Sequence, residues 1–131
     1  MKMTIGTDII DINRIKKVIF KYNVRFKKRC FHKGEIEKSE SRFNTIESYA
    51  KRYAAKEACA KALGTGLARG VYWKDIEVKN NAQGKPLIKL HNRALNYLYK
   101  NFGKDSNIEV SLSDEKDYAI ANVVILNEEK K

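Results

Sequence analysis

Apolar positions along the chain recur with two different periods, and the switches between them mark its elements. Met3 to Ile10 (MTIGTDII) reads as a strand, rich in Ile and Thr, with Gly6 where another backbone can come close. Ile12, Ile15, Val18 and Ile19 then recur at helical spacing, and Asp11 directly before them is placed to cap that helix. Glu35 to Ser41 predicts a short polar helix, followed by a loop up to Asn44. The stretch YAKRYAAKEACAKALGTG, Tyr49 to Gly66, predicts a helix of about four turns, because Ala, Lys, Glu and Arg dominate it and no Pro or Gly interrupts it before Gly64. Asn44 or Thr45 can cap its start, with Glu47 placed to reach back. Gly64 ends it, since the residue past a helix commonly needs positive φ, and Gly66 keeps the next turn open. After a loop from Leu67 to Trp73, Asp75 to Lys79 (DIEVK) and Lys85 to Leu90 (KPLIKL) predict a hairpin through Asn80, Asn81 and Gly84, with Pro86 near the start of the return strand. A helix from about Asn92 to Tyr99 stops around Gly103. Asn107 to Ser113 and Tyr118 to Leu126 then predict an antiparallel pair about a turn from Asp114 to Lys116. The order of elements predicts an α+β fold, an antiparallel sheet packed around one long central helix, in one domain over residues 1–131. Apart from a charged tail, Asn127 to Lys131, the chain has no linker or low-complexity segment.

Two features of this pattern are chemically loaded. On the long helix Ala50, Ala54, Ala58 and Ala62 form a small-residue stripe that permits close packing. Beside it Arg52, Lys56 and Lys61 surround a single acid, Glu57. Glu57 and Lys61 read either as an i,i+4 surface ion pair or, given the Gly-x-Gly turn that follows, as part of a site for a metal and a polyphosphate. The second feature is Asp8, an acid inside an apolar strand. It is a cap or a ligand for something positive, and Asp11 already fills the capping position, which favours the ligand.

Charge narrows the partners without choosing among them. The 131 residues carry a net charge of +11, which implies an acidic partner such as a nucleic acid, an anionic membrane, a phosphorylated ligand or an acidic protein. From Arg14 to Lys33 every charged residue is a cation, so an acidic surface should dock there. Phe20, Tyr22, Phe26 and Phe31 interleave with these cations, which also suits single-stranded nucleic acid, although helical spacing makes most of them core anchors. His32 has no second His near it in sequence and reads as a surface or capping residue. Cys30 and Cys59 lie in no metal-binding motif and imply a reducing compartment. The first residues carry an acid by position 8 and no apolar run of signal or spanning length, which predicts a cytoplasmic protein without membrane insertion.

The blocks IGTDIIDINRI (5–15), RYAAKEACAKALGTG (52–66), DIEVKNNAQGKPLIKL (75–90) and VSLSDEKDYAIANVVI (110–125) resemble, in order and over nearly the whole chain, those of the holo-[acyl-carrier-protein] synthases. These are small 4'-phosphopantetheinyl transferases. The resemblance implies transfer of 4'-phosphopantetheine from coenzyme A to a serine of apo acyl carrier protein, with release of adenosine 3',5'-bisphosphate, in fatty acid biosynthesis. It implies Mg²⁺ held by Asp8 and Glu57, a chemistry two hard carboxylates suit, and Lys61 at the phosphates, with Glu57 and Lys61 as the catalytic pair. Arg52, Lys61, Gly64 and Gly66 would contact coenzyme A, with Lys56 in the same motif. Arg14, Arg25 and Arg29 would dock the acidic carrier. It further implies a homotrimer whose active sites are shared between neighbouring subunits.

In one place the chain departs from the pattern. Where the family commonly has Ser/Thr-His it has Ser113-Asp114, an acid that would repel phosphate unless it turns away. The base that deprotonates the carrier serine is open between Glu57 and Glu35. An alternative from another class is a basic nucleic-acid-binding module, which explains the cations but gives Asp8 and Glu57 nothing to do.

Overall fold

A computed structural model describes residues 1–128; the end of the charged tail, Glu129 to Lys131, lies outside them. The chain runs β1 (Lys2–Asp11), α1 (Ile12–Tyr22), α2 (Val24–Cys30), α3 (Lys33–Glu40), α4 (Thr45–Leu63), a 3₁₀ turn (Trp73–Asp75), β2 (Ile76–Asn80), β3 (Pro86–Leu90), α5 (Asn92–Phe102), β4 (Asn107–Glu115) and β5 (Tyr118–Asn127). The strands form two antiparallel sheets, not one: β1-β5-β4, and the hairpin β2-β3. Tyr118 at the start of β5 faces Asp11 of β1 and Glu115 of β4, so β4 extends through the expected turn and the chain reverses at Lys116 and Asp117.

Each element follows from a local cause. Asp11 caps α1 through Asn13 N–H, at 2.8 Å, which releases Asp8 from that duty as expected. The cationic block is not one helix. Asn23, at φ 40°, breaks it into α1 and α2 in a conformation that Asn tolerates better than most residues. Of its interleaved aromatics Phe31 is buried and Phe26 half-buried, but Phe20 and Tyr22 face solvent. The long helix ends at Gly64 in the left-handed conformation, φ 89°. Its start differs from expectation: Asn44 makes no side-chain cap, and Thr45 Oγ1 instead donates to Arg42 O at 2.7 Å.

The core lies where α4 meets the inner face of β1-β5-β4. Ala50, Ala54, Ala58 and Ala62 are buried, as are Ala119, Ala121, Val123 and Ile125 of β5. Among the described residues the opposite face of the same sheet is left uncovered along β1. Met3, Ile5 and Ile9 of β1 point outward at 54%, 63% and 59% exposure. In register beside them on β5 stand Leu126, Val124 and Ile120.

Candidate active site

Strand alternation puts Gly6, Asp8 and Ile10 on the face of β1 that looks at α4. The approach is too close for a side chain: a Cβ on Gly6 would stand 1.8 Å from Ala58 O and 2.8 Å from Ala62 N. Thr4 Oγ1 also donates to Ala62 O at 2.7 Å. Strand backbone therefore rests on helix backbone across the alanine stripe, and two residues beyond Gly6 this contact delivers Asp8 beside Glu57 and Lys61. Lys61 Nζ donates to Asp8 Oδ1 at 3.1 Å and to Thr7 O at 3.0 Å, so it reaches across to β1 instead of pairing along the helix with Glu57. The Asp8 carboxylate is buried, and its Oδ2 has no hydrogen-bond partner. Burial, then the charge of Asp8, raise the pKa of Glu57 above the ordinary glutamate value. Asp8 also contributes to that rise through a side-chain hydrogen bond, and two carboxylates crowded in this way beside a single lysine form a donor set that a dication would satisfy. Oxygen donors of this kind fit Mg²⁺.

Past the end of α4, Gly64 and Gly66 both have positive φ, 89° and 58°, and a Cβ on either would meet nothing within 4 Å. The N–H groups of Gly64, Thr65 and Gly66 fold back onto Ala60 O. The turn therefore offers bare, open backbone and not a row of free donors.

The other charged residues of the helix are placed differently. Lys56 is fully buried, donating to Glu35 Oε1 at 2.8 Å, to Trp73 O at 3.0 Å and to Ile76 O. Glu35 is equally spent, since Oε1 also accepts His32 N–H at 3.0 Å and Oε2 accepts Val78 N–H at 3.2 Å. A carboxylate at 1% exposure with both oxygens engaged cannot take a proton from a docked substrate, and Glu35 is thereby removed as a candidate base. Arg52 is not brought to Asp8 and Glu57 either. Its guanidinium donates to Val78 O at 2.5 Å and to Asn80 Oδ1 at 2.8 Å. It lines a cavity of about 220 Å³ together with Arg42, Lys51 and Pro86. Arg42 and Lys51 carry no sequence signal of their own, because the fold assembles this cavity from α4, the β2-β3 hairpin and β4. Asp114 is tied to Lys51 at 3.0 Å, so its charge is compensated.

Arg14, Arg25 and Arg29 do converge. They surround a groove of about 590 Å³ whose apolar wall includes Phe26, Tyr53 and Trp73. Tyr53 and Trp73 stack at 4.2 Å between ring centroids. The groove reaches the two elements that carry the carboxylate pair, since Ile10 of β1 and Tyr53 of α4 both line it. Among the described residues none of the three arginines is in an ion pair, whereas Lys27 within the same block pairs with Glu40 at 2.9 Å.

Three comparisons bear on this geometry. The profile of the 4'-phosphopantetheinyl transferase superfamily matches residues 4–123. A holo-[acyl-carrier-protein] synthase of Agrobacterium fabrum is 48% identical over 127 residues, 95% of each chain. Among solved structures, holo-[acyl-carrier-protein] synthase from Neisseria meningitidis superposes with a TM-score of 0.83 at 35% identity, covering 95% of this chain and 98% of that one. The Helicobacter pylori enzyme, in complex with coenzyme A, gives 0.81 at 30% identity, covering 93% and 99%. With the family profile, these relatives and the fold in agreement over nearly the whole length, the chain belongs to the 4'-phosphopantetheinyl transferase superfamily, among its holo-[acyl-carrier-protein] synthases.

Proposed function

We propose that this chain, as one domain over residues 1–131, transfers the 4'-phosphopantetheine group of coenzyme A to a serine of apo acyl carrier protein in fatty acid biosynthesis, and that it requires Mg²⁺. The observation that carries the reading is the convergence of Asp8, Glu57 and Lys61 at the β1-α4 contact, with an orphaned oxygen on Asp8. That a relative of this fold is in complex with coenzyme A supports the substrate.

Asp8 and Glu57 would hold the ion. When bound, Mg²⁺ supplies charge neutralisation at the pyrophosphate of coenzyme A. In the reaction the serine Oγ forms a bond to the phosphorus that carries the pantetheine arm. The phosphoanhydride bond breaks, and adenosine 3',5'-bisphosphate leaves with the bonding pair. Lys61, half exposed at the mouth of the site, offsets the negative charge that grows on the leaving group. Glu57, with its raised pKa, is the base left for the serine proton once Glu35 is removed. Gly64 and Gly66 present open backbone to the nucleotide, and Arg52 with Arg42 and Lys51 forms a second basic cavity for its anionic end. Arg14, Arg25 and Arg29 receive the acidic carrier at the groove.

Because Arg52 and the Asp8-Glu57 pair do not share a cavity within one chain, we place each complete site between two subunits of a homotrimer joined through the apolar outer face of β1 and β5. The experiment incubates the protein with coenzyme A, apo carrier and Mg²⁺ and follows the carrier by mass spectrometry. The expected result is addition of one phosphopantetheine. No addition, together with salt-sensitive binding to DNA or RNA, would favour the basic nucleic-acid module instead.

A further inference from the structure

The chain contains two histidines, and although His32 caps α3 as expected, the fold brings the second imidazole to it. His32 immediately precedes α3, and His91 lies between β3 and α5. Their rings nevertheless approach to 4.8 Å between centroids, at 35°. Glu77 on β2 joins them, with its Oε1 2.9 Å from His91 Nε2. One ligand atom from each of the three residues lies within 4.8 Å of the other two, and all three residues are half-buried. None of them has a role in the transfer chemistry above, and none lines either basic cavity.

We propose that His32, Glu77 and His91 form a second cation site, separate from the Asp8-Glu57 pair, that takes a transition-metal dication of the Zn²⁺ class. Two imidazoles and one carboxylate suit Zn²⁺, Co²⁺ or Ni²⁺, whereas Mg²⁺ demands oxygen donors. Bonds of roughly 2.0–2.1 Å in a tetrahedron set ligand atoms about 3.3 Å apart. The His91–Glu77 separation is already near that value, and side-chain rotation alone has to close the rest. The Lys74 carbonyl accepts from His32 Nε2, which leaves Nδ1 as the lone-pair nitrogen of that ring. The two thiols do not compete, because Cys30 and Cys59 are buried and pushed up to about 11 and about 12. A bound ion would fasten the start of α3, β2 and the β3-α5 junction at one point, while leaving a coordination position open to water.

The test uses the full chain without an affinity tag and Co²⁺ as a coloured probe, with Zn²⁺ as competitor. One equivalent of Co²⁺ should give a visible ligand-field absorption that Zn²⁺ abolishes and millimolar Mg²⁺ does not. His32→Gln, Glu77→Gln and His91→Gln should each weaken Co²⁺ binding by about 100-fold or more, beyond the 10–100-fold typical of losing an outer-sphere partner. Asp8→Ala should keep the absorption. Circular dichroism establishes that the variants are folded. Absorption that survives both histidine variants and disappears in Asp8→Ala would put the ion at the carboxylate pair and overturn the proposal, as would the absence of any stoichiometric signal. Neither readout depends on phosphopantetheine transfer.

Discussion

At the scale of single residues the site is a place where folding stability is given up for charge. Glu57 holds its proton to a higher pH than it would in the unfolded chain, because burial and Asp8 disfavour its anion. A carboxyl shifted upward lets the folded state bind more protons, so the metal-free fold loses stability as pH rises from the unfolded value through the folded one. Glu57→Gln removes that loss. We expect the variant to drop Mg²⁺-dependent turnover by at least about 100-fold, on the scale of deleting one charge-stabilising group. Its metal-free melting temperature at pH 7 should stay equal to the wild type or rise. Near wild-type turnover at saturating Mg²⁺ would return Glu57 to a surface ion-pair role. In the wild type, turnover should fall with decreasing pH above the ordinary glutamate value of 4.5. Added Mg²⁺ should move that limb to lower pH, since ion and proton compete for the same oxygens. An acid limb that ignores Mg²⁺ would assign the titration elsewhere. Lys56 and Glu35 show the opposite residue-level case, a fully buried and fully paired couple that serves only the packing of α3, α4 and β2.

At the scale of elements, the decisive contact is β1 against α4, and Gly6 is its weakest point. Gly6→Ala would push a methyl group into Ala58 O. We expect about 3 kcal/mol of destabilisation or more, at the upper end for an overpacked core. Because Asp8 must retreat with the strand, turnover should fall by roughly 100-fold even where the variant stays folded. Denaturant unfolding and kinetics below the melting transition separate the two effects, and unchanged values in both would mean the strand can slide on the helix. For α1 and α2, Arg14→Glu and Arg25→Glu should raise the KM for the carrier and leave that for coenzyme A, and raised salt should mimic them as the Debye length falls from about 10 Å at 0.1 M to about 3 Å at 1 M. A raised KM for coenzyme A alone would assign the groove to the nucleotide. Most elements were legible in the sequence, because periodicity, Asp11 and Gly64 are local signals, but the break at Asn23 and the run of β4 through the expected turn were not. Asp8 was legible too, as an acid on an apolar stripe whose capping role another residue had taken. What local pattern could not show is how distant segments meet. Lys56 and Arg52 look as polar as Lys61 in the sequence, and only the seating of β2 on α4 makes them interior. His32 and His91 belong to segments that the hairpin brings together from far apart.

At the scale of the whole molecule, the proposed assembly rests on the outer face of β1 and β5. Met3, Ile5 and Ile9 are too exposed for a finished surface and stand side by side. Light scattering after sizing should give a trimer, and Ile5→Asp with Ile9→Asp should give an inactive or weakly active monomer; a fully active monomer would end the shared-site reading. Mixing Asp8→Ala with Lys51→Glu, each inactive alone, should restore part of the activity, because each supplies the half that the other lacks. The β1-β5 pairing also bears on how the enzyme is made. Asp8 is made with β1, yet its partner across the sheet is Ala121 of β5, which follows the other described strands in the chain. During synthesis β1 carries its apolar residues without a neighbour, and contacts of such long sequence separation form late and slowly. A chain released early has its long helix and its cations but not the strand that holds Asp8 in place. Translation up to β4 therefore yields no half-working intermediate, and activity waits on the pairing of β5 with β1.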